Sequence, residues 1–220
     1  MDNGKIIEIY NNLLDSLDDK RYLDLIWYKC ITPNEFFDNY LKFYFFKKGM
    51  DEGYYPLTHF AHNKVNPKIL EEWIVFKDDL NEVLPHKNDW PFEFLIDLCW
   101  LSKDGHTIPL CMELEQKPDI KEIRYDFQKL LFINSSLKIM VIFDYFAFPS
   151  LLELLSKTPF CNPDETFLLI SIDKLPDQHH IIGYIDYHVR GCIFSKNRKV
   201  PDLRSVNFSI HITSQNCVEK

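Results

Sequence analysis

No stretch of this chain stays apolar for long. The longest run, residues 137–155, is broken by Lys138, Asp144, Pro149 and Glu153, so it falls short of the roughly 20 apolar residues that a membrane-spanning helix needs. The first ten residues include Asp2, Lys5 and Glu8 and lack the hydrophobic segment of a secretory signal. These two absences lead us to expect a soluble, cytoplasmic protein. Cysteine is sparse and scattered: Cys30, Cys99, Cys111, Cys161, Cys192 and Cys217 contain no C-x-x-C pair, which argues against structural zinc and a disulfide framework and for buried thiols in a reducing compartment. Positive charge is also short, with 25 Lys and Arg against 33 Asp and Glu and a formal net charge of -8. A protein that holds nucleic acid by neutralising phosphates is normally basic, so any such role here has to rest on a local patch.

What is present reads as a globular fold. The chain is 46% hydrophobic and 15% aromatic against 26% charged, without low-complexity tracts or internal repeats. Its 220 residues suit one domain with at most an appendage.

The first sixty residues read as mostly helical and aromatic-rich. Thr32 and Glu35 form a capping box with Pro33 at the first helical position, and Phe36, Phe37, Tyr40, Leu41, Tyr44 and Phe45 recur at helical spacing until Gly49 closes the segment. These rings are expected in the core. A second helix is expected from Pro67 to about Leu84, with Glu72 at the edge of its apolar stripe, and His59 and His62 fall in the loop before it.

The period then changes from helical to alternating. Phe92, Phe94, Ile96, Leu98 and Trp100 fall on every second position, as do Ile108, Leu110, Met112 and Leu114, with Leu95, Cys99, Leu101, Pro109 and Cys111 making the opposite, acidic face half-apolar too, and Asp104-Gly105 lies between the two runs. A type I turn at Lys103-Asp104, with Gly105 as the left-handed residue, sets Ser102 against His106, Ile96 against Met112, Leu98 against Leu110 and Trp100 against Ile108. A two-residue turn would set Ile96 against Glu113 and mix the faces, so we expect the first register. It puts Asp97 on the same face as Glu113 and Glu115, diagonal to Glu113. Pro109 implies an edge, a bulge or an unbonded ladder position.

After the hairpin, Asp119 and Glu122 cap a helix carrying Ile123, Phe127, Leu130 and Leu131 and ending near Asn134. A strand over residues 138–145, a short helix over 148–157 and a strand over 166–172 suggest a parallel crossover. Further strands are expected over residues 181–190 and 203–212. His179, His180 and His188 read as exposed or internally satisfied residues.

Three carboxylates meeting on one half-buried face repel. At about 5 Å and an effective dielectric of about 20, each pair costs roughly 3 kcal/mol. A divalent cation with hard oxygen ligands offsets that cost, and Mg²⁺ takes one or two carboxylates while keeping positions for water and phosphate. Asp97, Glu113-Leu114-Glu115, the helix with Asp126-Phe127-Gln128-Lys129, and the strand Leu137-Lys138-Ile139-Met140-Val141-Ile142 together resemble the PD-(D/E)XK nuclease superfamily, the restriction-endonuclease-like fold.

That resemblance spans about a third of the chain. It implies a mixed α/β fold with a helix, β-hairpin, helix, strand core over residues 66–220, carrying a helical amino-terminal extension over residues 1–65. It implies that Asp97 and Glu113 bind Mg²⁺ or Mn²⁺, with Glu72 as a further acid. Glu115 stands where the superfamily has lysine and would orient the attacking water. Lys129 is a second source of a lysine, although its helical angle, about 140° from the apolar stripe by the 100° step, suggests a solvated side chain. The activity implied is hydrolysis of a DNA or RNA phosphodiester. Arg190, Lys196, Arg198, Lys199 and Arg204 form the densest basic segment, a candidate phosphate contact or an ordinary solvated loop. The alternative function is a catalytically silent scaffold of the same fold, used for binding or as a homo-oligomer.

Overall fold

A computed structural model describes residues 1–17, 32–58, 96–143, 145–157, 165–176, 184–195, 198–199 and 203–211. The helix expected from Pro67, Glu72 on it, His59, His62, His179, His180 and Lys196 lie outside these residues.

The described chain is a mixed α/β fold around one eight-stranded sheet in the order β1-β2-β3-β4-β5-β6-β7, with β8 also paired to β6. The helices are α1 (Asn3–Ser16), α2 (Pro33–Asp51), α3 (Ile120–Phe132) and α4 (Phe148–Lys157). The strands are β1 (Tyr55–Thr58), β2 (Leu98–Leu101), β3 (Ile108–Glu115), β4 (Ser135–Ile142), β5 (Thr166–Lys174), β6 (Tyr184–Ser195), β7 (Arg198–Lys199) and β8 (Val206–His211). β1, β2 and β3 run antiparallel in turn, β3, β4 and β5 are parallel, and β6 returns antiparallel. No helix among the described residues is long and apolar enough to cross a membrane.

Alternation along the strands gives the sheet two buried faces. Leu98, Trp100, Leu110, Met112, Ile139, Val141 and Ile170 pack under α1 and α2. Cys99, Cys111, Met140, Ile142, Phe167 and Leu169 pack under α3 and α4, meeting Ile123, Phe127, Leu130, Leu151 and Leu155. The expected division of faces therefore holds for Leu98, Trp100, Leu110, Met112 and Leu114 against Cys99 and Cys111. Lys138, one of the breaks in the apolar run, is fully buried on the second face, its Nζ 2.9 Å from Glu165 and over the Phe167 ring.

The hairpin register differs from the expectation. Leu98 faces Met112, Cys99 faces Cys111 and Trp100 faces Leu110. The turn with its left-handed Gly105 is as expected, Gly105 N–H donating to Ser102 O and Gly105 at φ 74°, but Ser102 N–H donates to Thr107 O where His106 was the expected partner. Side chains enlarge the closure around it. Asp104 Oδ1 accepts from His106 N–H and Ser102 Oγ, and Ser102 Oγ accepts from Thr107 N–H. The ladder starts two residues later, and because two is even, the paired side chains Leu98, Trp100, Leu110 and Met112 keep their face, whereas Ile96 and Ile108, outside the antiparallel pairs, pack on the other one. Pro109, which has no N–H to give, falls just beyond the last antiparallel pair.

α2 forms as the capping box predicts, with Thr32 Oγ1 accepting from Glu35 N–H. Gly49 does not end it. The helix runs to Asp51, and the left-handed residue after it is Gly53, at φ 81°. Gly49 instead admits Trp100, whose buried indole N–H donates to Phe45 O at 2.9 Å. The boundary expected between residues 65 and 66 falls outside the described residues; on its amino-terminal side, Tyr55–Thr58 is hydrogen-bonded to β2 as a strand of the same sheet.

A Cβ added at Gly49 would sit 2.6 Å from Trp100 Nε1, against a rigid, fully buried ring. Helix propensity alone favours alanine there by about 1 kcal/mol. Gly49→Ala is expected to destabilise the protein by about 1–3 kcal/mol instead, because the packed ring has nowhere to go. A thermal melt checks this, and an unchanged or raised Tm would contradict it.

Candidate functional site

Glu113 projects from β3 toward α3. Because α3 packs over this face of the sheet, the Glu113 side chain is shut from water, with 2% exposure. Burial pushes its carboxyl up to about 9, against the opposing Lys129 ammonium, and the negative charge of Asp97 adds to the rise. Lys129 Nζ lies 2.8 Å from Glu113 Oε1 and 2.8 Å from Asp126 Oδ1. The first contact is an ion pair without hydrogen-bond alignment, since Glu113 Oε1 is buried without a hydrogen-bonded donor. Although burial works against it, Asp126 and Glu113 together hold the Lys129 ammonium above its ordinary value.

The expected solvated position of Lys129 is corrected here. Its Cα does lie off the apolar stripe, but its four-carbon stem runs along the helix flank and delivers the ammonium to the sheet.

Asp97 precedes the first paired residue of β2. Its Oδ2 accepts the Leu114 N–H at 2.8 Å, so the carboxylate stands in for the next ladder bond at the strand end. Its Oδ1 lies 3.3 Å from Lys42 Nζ, on α2, and Lys42 is 2.9 Å from Asp38 one turn back. Burial raises Asp38 above the usual carboxylate range, and the ion pairs with Asp38 and Asp97 outweigh burial to raise Lys42. Thr58 Oγ1 donates to Asp97 O and ties the same end of β2 to β1.

Glu115, the last residue of β3, is half-buried and accepts the Lys117 N–H at 2.7 Å. Burial raises its carboxyl, and the carboxyl of Asp126 adds to the rise. The site is therefore a chain of alternating charges, Asp38, Lys42, Asp97, then Glu113, Lys129, Asp126, with Glu115 beside Asp126. Five carboxyl groups share two ammonium groups.

Among the described residues no group of three or more His, Cys, Asp and Glu side chains is arranged to hold a metal ion. The expected convergence of Asp97, Glu113 and Glu115 on one point is replaced by Asp97 at the strand end, Glu113 under α3, and Glu115 beside Asp126. The donor chemistry still suits Mg²⁺, which needs only one or two carboxylates and water. Asp97 and Glu113 are the acids that would hold it, and the buried Glu113 Oε1, which faces the Lys129 ammonium without hydrogen-bond alignment, is the observation in favour.

Lys42 and Asp38 were not singled out from the sequence. Their signal is there: two polar residues four apart on a helix otherwise crowded with aromatics. The basic segment also differs from its sequence reading. Arg190 is engaged with Asp173 at 2.8 Å, Arg204 with Asp15 at 2.6 Å, and Arg198 and Lys199 form β7. His188 hydrogen-bonds Asn207 across β6 and β8, in line with its reading as a satisfied residue. No family model matches the chain, and comparison with curated proteins and with solved structures finds no match.

Glu113 binds its proton more tightly in the folded than in the unfolded chain. The stability it contributes is full below the ordinary glutamate range near 4.5 and is lost as pH rises toward about 9. Glu113→Gln mimics the protonated form and removes that loss. In chelator, the variant is expected to melt close to wild type near pH 5 and several degrees higher near pH 9. A constant difference across that range would contradict the assignment.

Proposed function

We propose that the chain is a divalent-metal-dependent hydrolase of nucleic-acid phosphodiesters built on a restriction-endonuclease-like core, with Lys129 in place of the superfamily's motif lysine. The observation that carries this reading is Lys129 Nζ at 2.8 Å from the buried Glu113 carboxyl. The order β2, β3, α3, β4, with β2 antiparallel and β4 parallel to β3, supports it.

Asp97 and Glu113 would hold Mg²⁺ or Mn²⁺. When bound, such an ion polarises a phosphoryl oxygen and lowers the pKa of a water molecule. The remaining work falls to the chain. Lys129 presents a fixed positive charge to the developing charge on the phosphate and orients the attacking water. Asp126 keeps Lys129 protonated and directed at Glu113, so it acts as a positioning residue. Lys42 does the same for Asp97 from α2. Glu115, half-buried at the mouth of the site with a raised carboxyl, takes the proton of the water.

One observation favours the alternative of a catalytically silent binding or oligomerisation scaffold. Both Asp97 oxygens already have protein partners, Leu114 N–H and Lys42.

Cleavage of labelled DNA and RNA, single-stranded and duplex, in Mg²⁺ or Mn²⁺ decides between them. Asp97→Asn, Glu113→Gln and Lys129→Ala are each expected to lower the rate by about 10²–10⁴-fold with an unchanged circular dichroism spectrum. Glu115→Gln is expected to cost about tenfold. Full activity in Lys129→Ala would remove the role given to Lys129, and no cleavage by the wild type with either metal would favour the silent scaffold.

A further inference from the structure

The outer face of α3 carries a run of residues that the core does not use. Lys121, Arg124, Tyr125, Gln128 and Phe132 are all exposed. Positions 121, 125, 128 and 132 fall on one stripe of the helix. Tyr125 is 63% exposed and Phe132 87%, and the two rings stand about 10 Å apart along the axis. The Lys129 ammonium lies 5.8 Å from the centre of the Tyr125 ring and, at its other side, 2.8 Å from Glu113. A third ring, Phe146, is 88% exposed on the turn Tyr145–Ala147. That turn follows β4, whose last residue, Ile142, is paired with Glu115. Exposed rings thus flank the candidate site on the helix and at the strand end.

The charge of this face differs from that of the chain. The protein as a whole is at -8, yet the exposed charges of α3 and its N-cap balance, Lys121 and Arg124 against Asp119 and Glu122. On neighbouring α4, Glu153 is paired with Lys157 at 2.5 Å and also lies within electrostatic reach of Arg124. Cationic groups interleaved with flat, exposed rings suit a ligand that carries both phosphates and accessible π-faces. A duplex hides its base faces in the stack, whereas an unpaired strand offers them to aromatic side chains.

From this arrangement we propose that single-stranded nucleic acid is the substrate class of the site. The strand crosses the outer face of α3, with a base stacked on Tyr125 and its neighbours on Phe132 or Phe146. Lys121 and Arg124 meet the phosphates on either side. Tyr125 fixes which phosphodiester reaches Lys129 and Glu113, because its ring is anchored beside the same ammonium that faces the carboxyl. This inference rests on the phosphodiesterase reading for its direction, while its binding surface is separate from the acids.

The test is fluorescence anisotropy of a labelled mixed-sequence DNA oligonucleotide, single-stranded and annealed, titrated with full-length Glu113→Gln protein in chelator at low salt. The single strand is expected to bind at least about fivefold tighter than the duplex. Adding Tyr125→Ala is expected to weaken binding by about 5- to 100-fold, and Tyr125→Phe to leave it nearly unchanged. Lys121→Ala or Arg124→Ala should lower the salt dependence by somewhat less than one phosphate equivalent each, and Tyr125→Ala should not change it. Duplex binding as tight as single-strand binding, or full affinity in both Tyr125→Ala and Phe132→Ala, would overturn the proposal. So would sedimentation showing these rings buried in a homodimer that Phe132→Ala dissolves. The two readings separate cleanly: manganese-dependent hydrolysis of bis(p-nitrophenyl) phosphate without a single-strand preference leaves hydrolysis standing and removes this inference. Single-strand binding through Tyr125 without any cleavage removes hydrolysis and leaves the strand as a ligand of this face, not a substrate.

Discussion

A carboxyl group buried on an interior strand is the constraint around which this end of the molecule is arranged. Glu113 cannot reach water from β3, and removing a carboxylate from water costs several kcal/mol unless partners compensate. The compensation comes from outside the sheet. α3 supplies Lys129, which is in turn held by Asp126, and the position of α3 is fixed by Ile123, Phe127 and Leu130 packing over Cys111, Met140 and Phe167. Apolar packing of one helix thus determines where a positive charge meets a buried acid. A group so placed gains from any cation that can share the site, which links the energetics of the fold to the proposed chemistry.

The second half of the charge chain comes from the opposite layer. α2 is coated with aromatic rings, with Phe37 edge-on to Phe143, Tyr187 and Phe208, and is locked to β2 where Trp100 fits against Gly49. That contact sets how closely α2 approaches the sheet and so brings Lys42 within 3.3 Å of Asp97. Residues expected to form an appended helical region contribute both a strand of the sheet, β1, and a charge to the candidate site.

How much of this was legible depended on how local each feature is. The two faces of the hairpin followed from alternation alone, because period two is a property of any strand. The register did not follow, because Ser102 and Asp104 side chains enlarge the turn in a way the Asp-Gly signal does not encode. An even shift spared the faces of the paired residues, though not of Ile96 and Ile108, and brought Asp97 to the level of Glu113. The helical angle placed the Lys129 Cα correctly and its ammonium wrongly, since a flexible stem reaches farther than a helical-wheel position implies. β1 was missed because four residues including a proline carry little periodic information. The partners of Arg190 and Arg204 are Asp173 and Asp15, on other elements, so local charge density overstated the freedom of that basic segment.

The central claim is that Asp97 and Glu113, with Lys129 beside them, form a site that takes a divalent cation. Isothermal titration of Mn²⁺ into the metal-free protein measures this most directly. The account predicts a saturable heat in the wild type that is abolished in Glu113→Gln and weakened in Asp97→Asn. Equal, negligible heats in all three proteins would contradict it and leave the alternating charges as a means of folding alone.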